Sequence, residues 1–319
     1  MTAPSDVKLG ILLWSQATDW PSFERGARRV DELGYDSLWT WDHLYAIFGD
    51  PYQPIFEGWM SLAAWAKVTT RVELGLLVGA NTFRNPGLVA KQAATLDHIS
   101  DGRAVLGIGG AWFELEHTAH GIEFGGGFGQ RLDWLDESVA AIRDLLDGRE
   151  VTSPAGGRYR FDALRQQPIP VRRRLPIMIG GSGEKKTLRT VARYADRWNA
   201  MGSIEKLRHK DAVLRAHCEA VGRDPAEIER TVGCKPLIRD SEDEARRAWE
   251  AQMVHNRTPM ADVAEDDTFW VGTPQQLAER MIACREIGFS TFLAEMPAPY
   301  DDETLERWIG EVKPMVEAG

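Results

Sequence analysis

Asp42 and His43 form an adjacent acid–base pair at the end of an apolar run, SLWTWDH, over residues 37–43. A histidine of ordinary pKa, about 6.5, can take up or release a proton near neutral pH. Asp42 can orient the ring of His43 or bind a cofactor directly. The alternative is that Asp42 fixes a loop and that His43 is simply exposed. The pair is therefore a candidate catalytic site, and the elements around it must decide between the two interpretations.

Two glycine-rich turns are candidates for contact with a ligand. The first follows the apolar run AVLGI and the second follows PIMI. Without bulky side chains the backbone can approach a flat or anionic group closely, and free N–H groups before a helix bind phosphate. Each turn can also be a plain corner, with a serine capping the next helix in the second. The residues concerned are Gly109, Gly110, Ala111 and Trp112 in the first turn and Gly180, Gly181 and Ser182 in the second.

The sequence lacks the patterns of several other chemistries. No apolar strand carries a His-x-His pair; His98 falls in a predicted helix, and His117 and His120 fall in a predicted loop. A metal-dependent hydrolase needs several such ligands on different strands, so we predict no metal site. The sequence also has no GxSxG elbow of a serine hydrolase and no GxGxxG after its first strand.

Apolar runs alternate with helical patterns along the whole chain. In the clearest case, over residues 72–110, two apolar runs enclose a helix that opens after Asn85-Pro86 and closes at Asp101-Gly102. Runs that are apolar throughout are typical of parallel strands buried on both faces. Eight such strands alternating with helices favour a (β/α)8 TIM barrel over an open sheet, in one domain covering residues 1–319. The strands are predicted to begin near residues 7, 37, 72, 104, 176, 197, 230 and 291, and the other helices to cover residues 21–33, 58–69, 184–194, 204–221, 273–287 and 303–316.

Three segments are insertions that a minimal barrel of strands and helices does not need. Residues 111–130 are glycine-rich, residues 150–175 have the pattern of a hairpin followed by a Pro/Arg-rich connector, and residues 239–272 that of a charged, helical insertion. Insertions at the carboxyl ends of strands lie on the catalytic face of such barrels. We therefore expect these segments to shape a pocket.

Composition argues against several classes of partner. The net charge of −10 argues against binding to nucleic acid or to an anionic membrane. No apolar run approaches the roughly 20 residues that cross a bilayer, and the sequence begins without a secretion signal. The three cysteines are scattered, without the spacing of a disulfide framework or of a metal site. We predict a cytoplasmic protein that acts on a small-molecule substrate.

The predicted strand ends carry mostly glycine, aromatic and apolar residues, with a single histidine. This composition suits a flat aromatic ligand better than a metal ion. Trp14 and Trp112 stand at two of these ends and could line a ring-binding pocket.

Three long segments resemble the luciferase-like flavin and deazaflavin oxidoreductase superfamily, and within it the branch that uses coenzyme F420. They are NTFRNPGLVAKQAATLDHISDGRAVLGIGGAWFELEHTAHGIEF, RLDWLDESVAAIRDLLDGREVT and PIMIGGSGEKKTLRTVARYADRWNA. The resemblance extends from VKLGILL to the C-terminal helix. It implies an eight-stranded barrel with insertions, commonly a homodimer, which binds F420 or FMN at its C-terminal mouth.

The resemblance also implies roles by position. Residues 42–43 match an Asp-His pair beside the reactive ring. Leu77 and Val78 match a bulge of the third strand, which often carries a non-proline cis peptide that props the deazaflavin into a bent shape. Residues 109–112 match a segment that contacts ring and tail, and residues 180–182 match the phosphate-binding turn.

Trp112 departs from one family pattern. Members that oxidise secondary alcohols or sugar phosphates tend to have a glutamate at this position, and an indole cannot relay a proton. His43 is then the acid–base candidate beside the ring, in an enzyme that exchanges a hydride between F420 and a small organic substrate. Two alternatives stay open, a two-component FMN-dependent monooxygenase and a non-catalytic cofactor-binding barrel.

Overall fold

The structure is a computed structural model that describes residues 6–258 and 267–318. The strands β1 to β10 are Lys8–Leu13, Ser37–Thr40, Glu73–Leu76, Gly79–Ala80, Ala104–Gly109, Ile177–Gly180, Arg197–Ala200, Glu229–Ile238, Phe269–Gly272 and Thr291–Met296. The α-helices α1 to α11 are Trp20–Leu33, Gly58–Val68, Pro86–Ile99, Glu114–Ala119, Phe128–Leu146, Thr187–Tyr194, Ile204–Val221, Glu242–His255, Pro274–Glu286, Asp302–Arg307 and Lys313–Ala318.

Eight of these strands close into a parallel barrel. The order around the barrel is β1, β2, β3, β5, β6, β7, β8 and β10. Parallel pairing of β10 with both β8 and β1 closes the ring, so that Leu293 lies opposite Gly233 on one side and opposite Gly10 on the other. The predicted (β/α)8 TIM barrel is confirmed.

Two layers of apolar side chains explain why the barrel strands do not alternate in polarity. On β1, Leu9 and Ile11 pack in the layer between the barrel and the helices, while Leu12 packs in the interior of the barrel. Both faces of the strand are therefore removed from water, and an apolar residue is favoured at every position.

The indole of Trp39 fills the barrel interior where neighbouring strands carry glycine. A Cβ on Gly75 would lie 2.4 Å from Cζ3 of Trp39, and a Cβ on Gly10 would lie 3.0 Å from its Nε1. The indole N–H donates to the hydroxyl of Ser37 at 2.8 Å. These two glycines are therefore required by close packing in the interior rather than by a turn.

A cis peptide bond between Leu77 and Val78 interrupts the third strand of the barrel. β3 ends at Leu76, and the chain resumes pairing with β5 as the short strand β4, in which Gly79 lies opposite Ile108. The bulge and the cis peptide that the family resemblance implies are thus present at these residues.

The differences from the predicted elements lie where a pattern is short or mixed. α6 begins at Thr187 rather than at residue 184, because residues 184–186 form turns. α5 and β9 are not among the elements predicted from the sequence. β9 pairs in parallel with the extended end of β8. The predicted C-terminal helix is divided into α10, a π-helical segment at Trp308–Val312, and α11.

The expectation that residues 150–175 follow the carboxyl end of a strand, and so lie on the catalytic face, is wrong. This segment follows α5 and leads into β6, so the chain here returns to the amino-terminal end of the barrel. Gln166 Nε2 donates to the carbonyl oxygen of Ala90 at 3.1 Å, and the N–H of Val171 donates to Asp97 at 2.8 Å. The segment therefore covers α3 on the outside of the barrel, and its Arg158 reaches Glu123 of the first insertion at 2.9 Å.

The other two insertions do follow the carboxyl ends of strands. Residues 111–130 contain α4, and the helical part of residues 239–272 is α8, whose Trp249 and Met253 pack in the interior cluster. The expected hairpin of residues 150–175 is present as an antiparallel bridge between Val151 and Leu164. Part of the third insertion, residues 259–266, lies outside the described residues.

Of the helices that the structure describes, none has the length and apolarity that crossing a bilayer requires. Cys218, Cys234 and Cys284 are buried free thiols. Burial raises the pKa of the Cys284 thiol to about 12. These thiols therefore act as small apolar side chains in the packing around the barrel.

We expect Gly107→Ala to destabilise the barrel. A Cβ at this position would lie 1.8 Å from the carbonyl oxygen of Leu76, a backbone atom at the start of the bulge. Overpacking of this kind costs about 1–3 kcal/mol, and the free energy of unfolding in urea should fall by that amount. Gly310→Ala is the matched control, because, apart from its chain neighbours and the backbone of its own helix, no described atom lies within 4 Å of its Cβ position. Equal free energies of unfolding for the two variants would contradict the close approach of residue 107 to the carbonyl oxygen of Leu76.

Candidate active site

The carboxyl ends of the barrel strands bring the predicted site segments together. Val78 lies against the two glycine turns, because Cβ atoms placed on Gly109 and Gly180 would lie 2.8 Å and 3.0 Å from its methyl groups. Asp42 contacts the bulge of the third strand, because its carboxylate accepts a hydrogen bond from the N–H of Ala80 at 2.9 Å. The mouth of the barrel is formed where residues 42–43, 77–78, 109–112 and 180–182 meet.

His43 is paired with a buried carboxylate that the sequence analysis does not single out. Its Nδ1 lies 3.0 Å from Oε1 and 3.2 Å from Oε2 of Glu116. The Glu116 side chain is 2% exposed, and its Oε2 also accepts the backbone N–H of Leu44 at 2.8 Å. A carboxylate facing Nδ1 keeps the proton of a neutral His43 on that nitrogen. Nε2 is then the nitrogen that can accept a proton from a ligand.

Aromatic rings surround the imidazole of His43 and hold it in one orientation. Trp41, Trp112 and Phe113 meet it edge-on, with ring centroids 6.2, 5.6 and 6.1 Å away. The imidazole keeps partial exposure to solvent. A small ligand at the mouth can therefore reach a histidine whose geometry is already set.

His117 lies inside α4 and is buried, which corrects its predicted place in a loop. Its Nδ1 donates to the carbonyl oxygen of Phe113 at 2.7 Å, and its Nε2 accepts from the hydroxyl of Thr82 at 2.6 Å. Burial lowers the pKa of His117, so the ring is neutral at pH 7. This neutral bridge attaches α4 to the chain that follows the bulge, and it thereby fixes Glu116, the preceding residue.

Asp42 does not orient His43, in contrast to one of the roles proposed for it from the sequence. Its carboxylate accepts hydrogen bonds from both Nη atoms of Arg84, at 2.7 and 2.9 Å, and from the N–H of Ala80. Arg84 also donates to Glu57 at 2.7 Å. Burial lowers the pKa of Arg84, but the charges of Asp42 and Glu57 outweigh this and raise it. The buried carboxylate of Asp42 thus supports the bulge as half of an ion pair.

Trp14 is covered by the protein's own side chains. It is fully buried, its ring stacks on Phe48 with centroids 4.4 Å apart, and it lies 4.8 Å from Trp41. Its Nε1 donates to Glu295 at 3.3 Å. Trp14 therefore supports the mouth from below, and it does not face a ligand as the sequence analysis expects. Of the two tryptophans proposed for a ring pocket, Trp112 is the one that is open to solvent.

Gly110 and Ala111 set the direction of the chain after β5. A Cβ on Gly110 would lie 2.8 Å from Cδ2 of Leu132, so glycine lets the backbone approach α5. Ala111 has a φ of +59°, in the left-handed region that side chains other than glycine seldom adopt. The turn that follows places the indole of Trp112 against His43.

The turn after β6 has the backbone of an anion site. Gly181 has a φ of +117°, which favours glycine, and both of its backbone polar groups are bonded to β7. The N–H groups of Ser182 and Gly183 make no hydrogen bond to any described residue. Capping of α6 by Ser182 is not found, since Lys186 is the N-cap residue and makes no side-chain cap bond. The turn therefore leaves two backbone N–H groups without a partner among the described residues, as turns that bind anions do.

Side-chain amides hold the loop of residues 46–56 beside the mouth. Gln16 Oε1 accepts the N–H groups of Ile47 and Phe48 at 3.0 and 3.2 Å, and its Nε2 lies 3.4 Å from Oδ1 of Asn256. Asn256 follows α8 and donates to the carbonyl oxygen of Ala298 at 2.6 Å. The network joins β1, the loop and the third insertion, and it keeps Phe48 over Trp14.

Local sequence patterns carry no signal for Glu116. Its partner His43 is 73 residues away in the chain, and the segment that contains Glu116 has the composition of a glycine-rich loop. Within the described part of the chain, no group of three or more His, Cys, Asp or Glu residues is arranged to hold a metal ion. The groups that the structure places at the mouth are a histidine–carboxylate pair, which can transfer a proton, and the unbonded N–H groups of the glycine turn.

A (β/α)8 barrel with a histidine–carboxylate pair and a glycine-rich turn at the carboxyl ends of its strands has the layout of a TIM-barrel enzyme. Within that class, the chain belongs to the luciferase-like monooxygenase family, whose model matches residues 8–291. The family resemblance found in the sequence is confirmed.

Relatives of this chain differ in the cofactor that their names give. An F420-dependent glucose-6-phosphate dehydrogenase of Kineococcus radiotolerans is 27% identical over 91% of this chain and 91% of its own. An FMNH2-dependent dimethylsulfone monooxygenase of Pseudomonas fluorescens is 26% identical over 88% of this chain and 83% of its own. The structure of an F420-dependent secondary alcohol dehydrogenase with an F420-acetone adduct has a TM-score of 0.82 and 20% identity, with 98% and 99% of the two chains covered. At that identity it shows the shared fold.

We expect His117→Asn to reduce the pH dependence of stability on the acid side. Because burial lowers the pKa of His117, the unfolded chain binds a proton that the folded chain does not, once the pH falls below about 6.5. The free energy of unfolding therefore rises with pH in this range, by up to about 1.4 kcal/mol per pH unit for one proton.

Urea unfolding at several pH values between 5 and 8 measures this slope. Replacement of His209, which is exposed, with asparagine is the control, since it leaves the contribution of His117 in place. A His117→Asn variant with the slope of the wild type would show that the folded protein protonates this ring as readily as the unfolded chain does.

Proposed function

We propose that the protein is an F420-dependent oxidoreductase that transfers a hydride between the deazaflavin and a small organic substrate at the barrel mouth. The observation that carries this proposal is the contact of Glu116 with Nδ1 of His43, which directs Nε2 to proton transfer. Interconversion of an alcohol and a carbonyl compound moves a proton together with the hydride, so it requires such a group. The match to an F420-dependent dehydrogenase over most of the chain supports the proposal.

The residues at the mouth fit a phosphorylated, tricyclic cofactor. The free N–H groups of Ser182 and Gly183 would hold its phosphate, and Val78 in the bulge would support its ring. Glycine at residue 181 leaves the approach open, because a Cβ there would meet a single described side-chain atom, at 3.5 Å. When bound, F420 accepts or delivers a hydride.

The chain's own residues supply proton transfer and orientation. Nε2 of His43 takes the hydroxyl proton of an alcohol or returns a proton to a carbonyl oxygen. The negative, buried Glu116 stabilises the imidazolium that forms when His43 takes the proton. The ion pair of Asp42 with Arg84 holds the bulge in place, so the ring support does not shift during the reaction.

The alternative is a two-component FMN-dependent monooxygenase. It is favoured by the match to an FMNH2-dependent monooxygenase and by the indole of Trp112 where the resemblance expects a glutamate in alcohol-oxidising members. The same turn of residues 181–183 would take the phosphate of FMN. A measurement of cofactor preference must therefore distinguish the two functions.

Paired equilibrium titrations with F420 and with FMN make this measurement. The sequence has twelve tryptophans, and quenching of their fluorescence reports binding at the mouth. We expect F420 to bind at least about tenfold more tightly, a difference of about 1.4 kcal/mol. A preference for FMN, together with oxygen consumption when reduced FMN is supplied, would favour the monooxygenase. Binding of either cofactor without turnover would favour the non-catalytic barrel.

We expect His43→Ala to lower turnover by about 10²- to 10⁴-fold, because loss of a general acid–base has effects of this size. The dissociation constant of F420 should change little, since phosphate and ring are held elsewhere. Turnover is measured as the loss of the deazaflavin's visible absorbance, with 2-propanol as the probe substrate. The turnover of Glu116→Gln should lie between the turnovers of His43→Ala and the wild type. His98→Ala is the control on α3. An undiminished rate for His43→Ala would remove this residue from the mechanism.

We expect Gly181→Asp to weaken F420 binding by about tenfold relative to Gly181→Ala, because the added carboxylate repels the cofactor phosphate. Both variants share the strain of a side chain at a φ of +117°, so their comparison isolates the charge. Fluorescence titration measures both dissociation constants. Equal affinities would move the phosphate away from this turn.

Two further properties stay proposals that rest on the resemblance and on composition. One is assembly as a homodimer, and the other is a cytoplasmic location. Neither changes the chemistry assigned to His43 and Glu116.

A further inference from the structure

The rim of the mouth beside the glycine turn of residues 181–183 carries a local excess of positive charge. Residues 184–186 and 203–210, which follow β6 and β7, contain five lysines and arginines and two glutamates. The whole chain has a net charge of −10, so the charge of this rim is opposite in sign to that of the protein. A cationic surface on an acidic protein directs anionic ligands to that part of the molecule.

The pairing of β6 with β7 brings these cations to the turn. Gly180 and Asn199 are Cα partners, and the N–H of Gly181 donates to the carbonyl oxygen of Asn199 at 3.1 Å. The chain that follows β7 therefore runs beside the turn. In it the side chain of Lys206 folds back over Gly202, because a Cβ on this glycine would lie 3.3 Å from Nζ of Lys206. The ammonium group of Lys206 thus lies on the rim next to the turn.

A carboxylate of the chain itself shows what the first turns of α7 bind. Oε1 of Glu184 accepts a hydrogen bond from Nζ of Lys210 at 2.6 Å and lies 3.0 Å from Nε2 of His209. The hydrogen bonds from Lys210 and His209 lower the pKa of Glu184, so this group is a carboxylate at neutral pH. Lys206 precedes His209 and Lys210 by three and four residues, so all three share one face of α7. That face is directed at the turn and already holds one carboxylate.

Two lysines of the rim have no carboxylate partner. Lys185 and Lys206 are exposed and make no ion pair with a described residue, whereas Lys186 is paired with Asp133 at 2.7 Å. A ligand whose phosphate is held by the turn of residues 181–183 would therefore meet two unpaired ammonium groups where it leaves the turn. Further anionic groups on such a ligand would find partners there.

We propose that this cationic rim, formed by Lys185, Lys206 and Lys210, binds the carboxylates of a cofactor tail that continues beyond the phosphate. F420 has such a tail, a chain of γ-linked glutamates, whereas FMN ends at its phosphate. The inference rests on the proposed use of F420, and it adds the residues that distinguish this cofactor from FMN.

The net charge of the protein gives the opposite expectation if the rim plays no part. A protein of net charge −10 repels a tail of several carboxylates, so a longer tail would then leave binding unchanged or weaken it. With the rim, each exposed ion pair strengthens binding by up to about fivefold, and two or three pairs give a preference of about tenfold for the tail. The direction of the effect of the tail therefore decides between the two cases.

The first test compares two forms of F420 by titration of tryptophan fluorescence, one with a tail of several glutamates and one without glutamates. We expect the wild type to bind the tailed form about tenfold more tightly. The double variant Lys185→Ala/Lys206→Ala should lose most of this preference, while its affinity for the tail-free form changes by less than about twofold. Lys67→Ala is the control, because it removes an exposed lysine from the last turn of α2, at the other end of the barrel.

Three results of this titration would overturn the inference. They are equal affinities of the wild type for the two forms, a double variant that keeps the preference, and a double variant that loses as much affinity for the tail-free form as for the tailed form. The last result would show that the two lysines hold the phosphate or the fold and not the tail.

The second test asks whether charge is what the tail recognises. Lys206→Arg keeps the positive charge and should keep the preference for the tailed form. In about 0.5 M NaCl the wild type should lose the preference, because salt at this concentration screens exposed charges within a few ångströms. A preference that survives at this salt concentration, or that Lys206→Arg abolishes, would overturn the inference.

The outcomes separate the inference from the function on which it rests. If the two forms of F420 bind equally and are reduced with 2-propanol, the hydride transfer stands and the role of the rim is overturned. If the tail is preferred through the lysines but no alcohol reduces F420, the rim stands and the proposed hydride transfer is wrong. A wild type that binds FMN more tightly than tailed F420 would overturn both.

Discussion

The contact between the carboxylate of Glu116 and the ring of His43 is the interaction on which the mouth of this barrel depends. A carboxylate that is almost fully buried is costly unless its oxygens are bonded. Glu116 meets this condition with Nδ1 of His43 and the N–H of Leu44, so one group fixes the imidazole and the start of the following loop. The same contact determines which nitrogen faces a ligand, and the proposed chemistry follows from that choice.

Rigid elements hold this contact in place from two sides. The neutral ring of His117 bridges α4 to Thr82, and the ion pair of Asp42 with Arg84 anchors the bulge between β3 and β4. Groups that touch a substrate are effective only when a second layer of bonded residues restricts their motion. Here that second layer consists of a buried histidine and a bidentate ion pair, and neither of them needs to touch the ligand.

The barrel is predictable from the sequence because its signals are local: most of its strands are apolar runs, and most of the predicted helices have their own start and stop residues. α5 and α6 lack a side-chain cap; α5 is not among the predicted helices, and α6 is predicted to begin too early. The glycine turns of the mouth are predictable because their signals are also local. The partners of individual side chains are not. The side chains of Trp39 and Trp41 face the interior of the barrel, whereas that of Asp42 lies on the opposite side of the chain and bonds to Arg84. The side chain of His43, the next residue, faces the mouth. Adjacency in sequence suggests that Asp42 orients His43, whereas the partner of His43 is distant in the chain and lies on a short helix without a strong pattern of its own.

A crystal structure of the complex with F420 would show where the cofactor lies. We expect phosphate oxygens within hydrogen-bonding distance, about 2.7–3.2 Å, of the N–H groups of Ser182 and Gly183. We also expect the reactive edge of the deazaflavin on the side of the mouth where Nε2 of His43 is free. A cofactor bound elsewhere, or a ring turned away from His43 with its phosphate off the glycine turn, would show that His43 and this turn do not form the site.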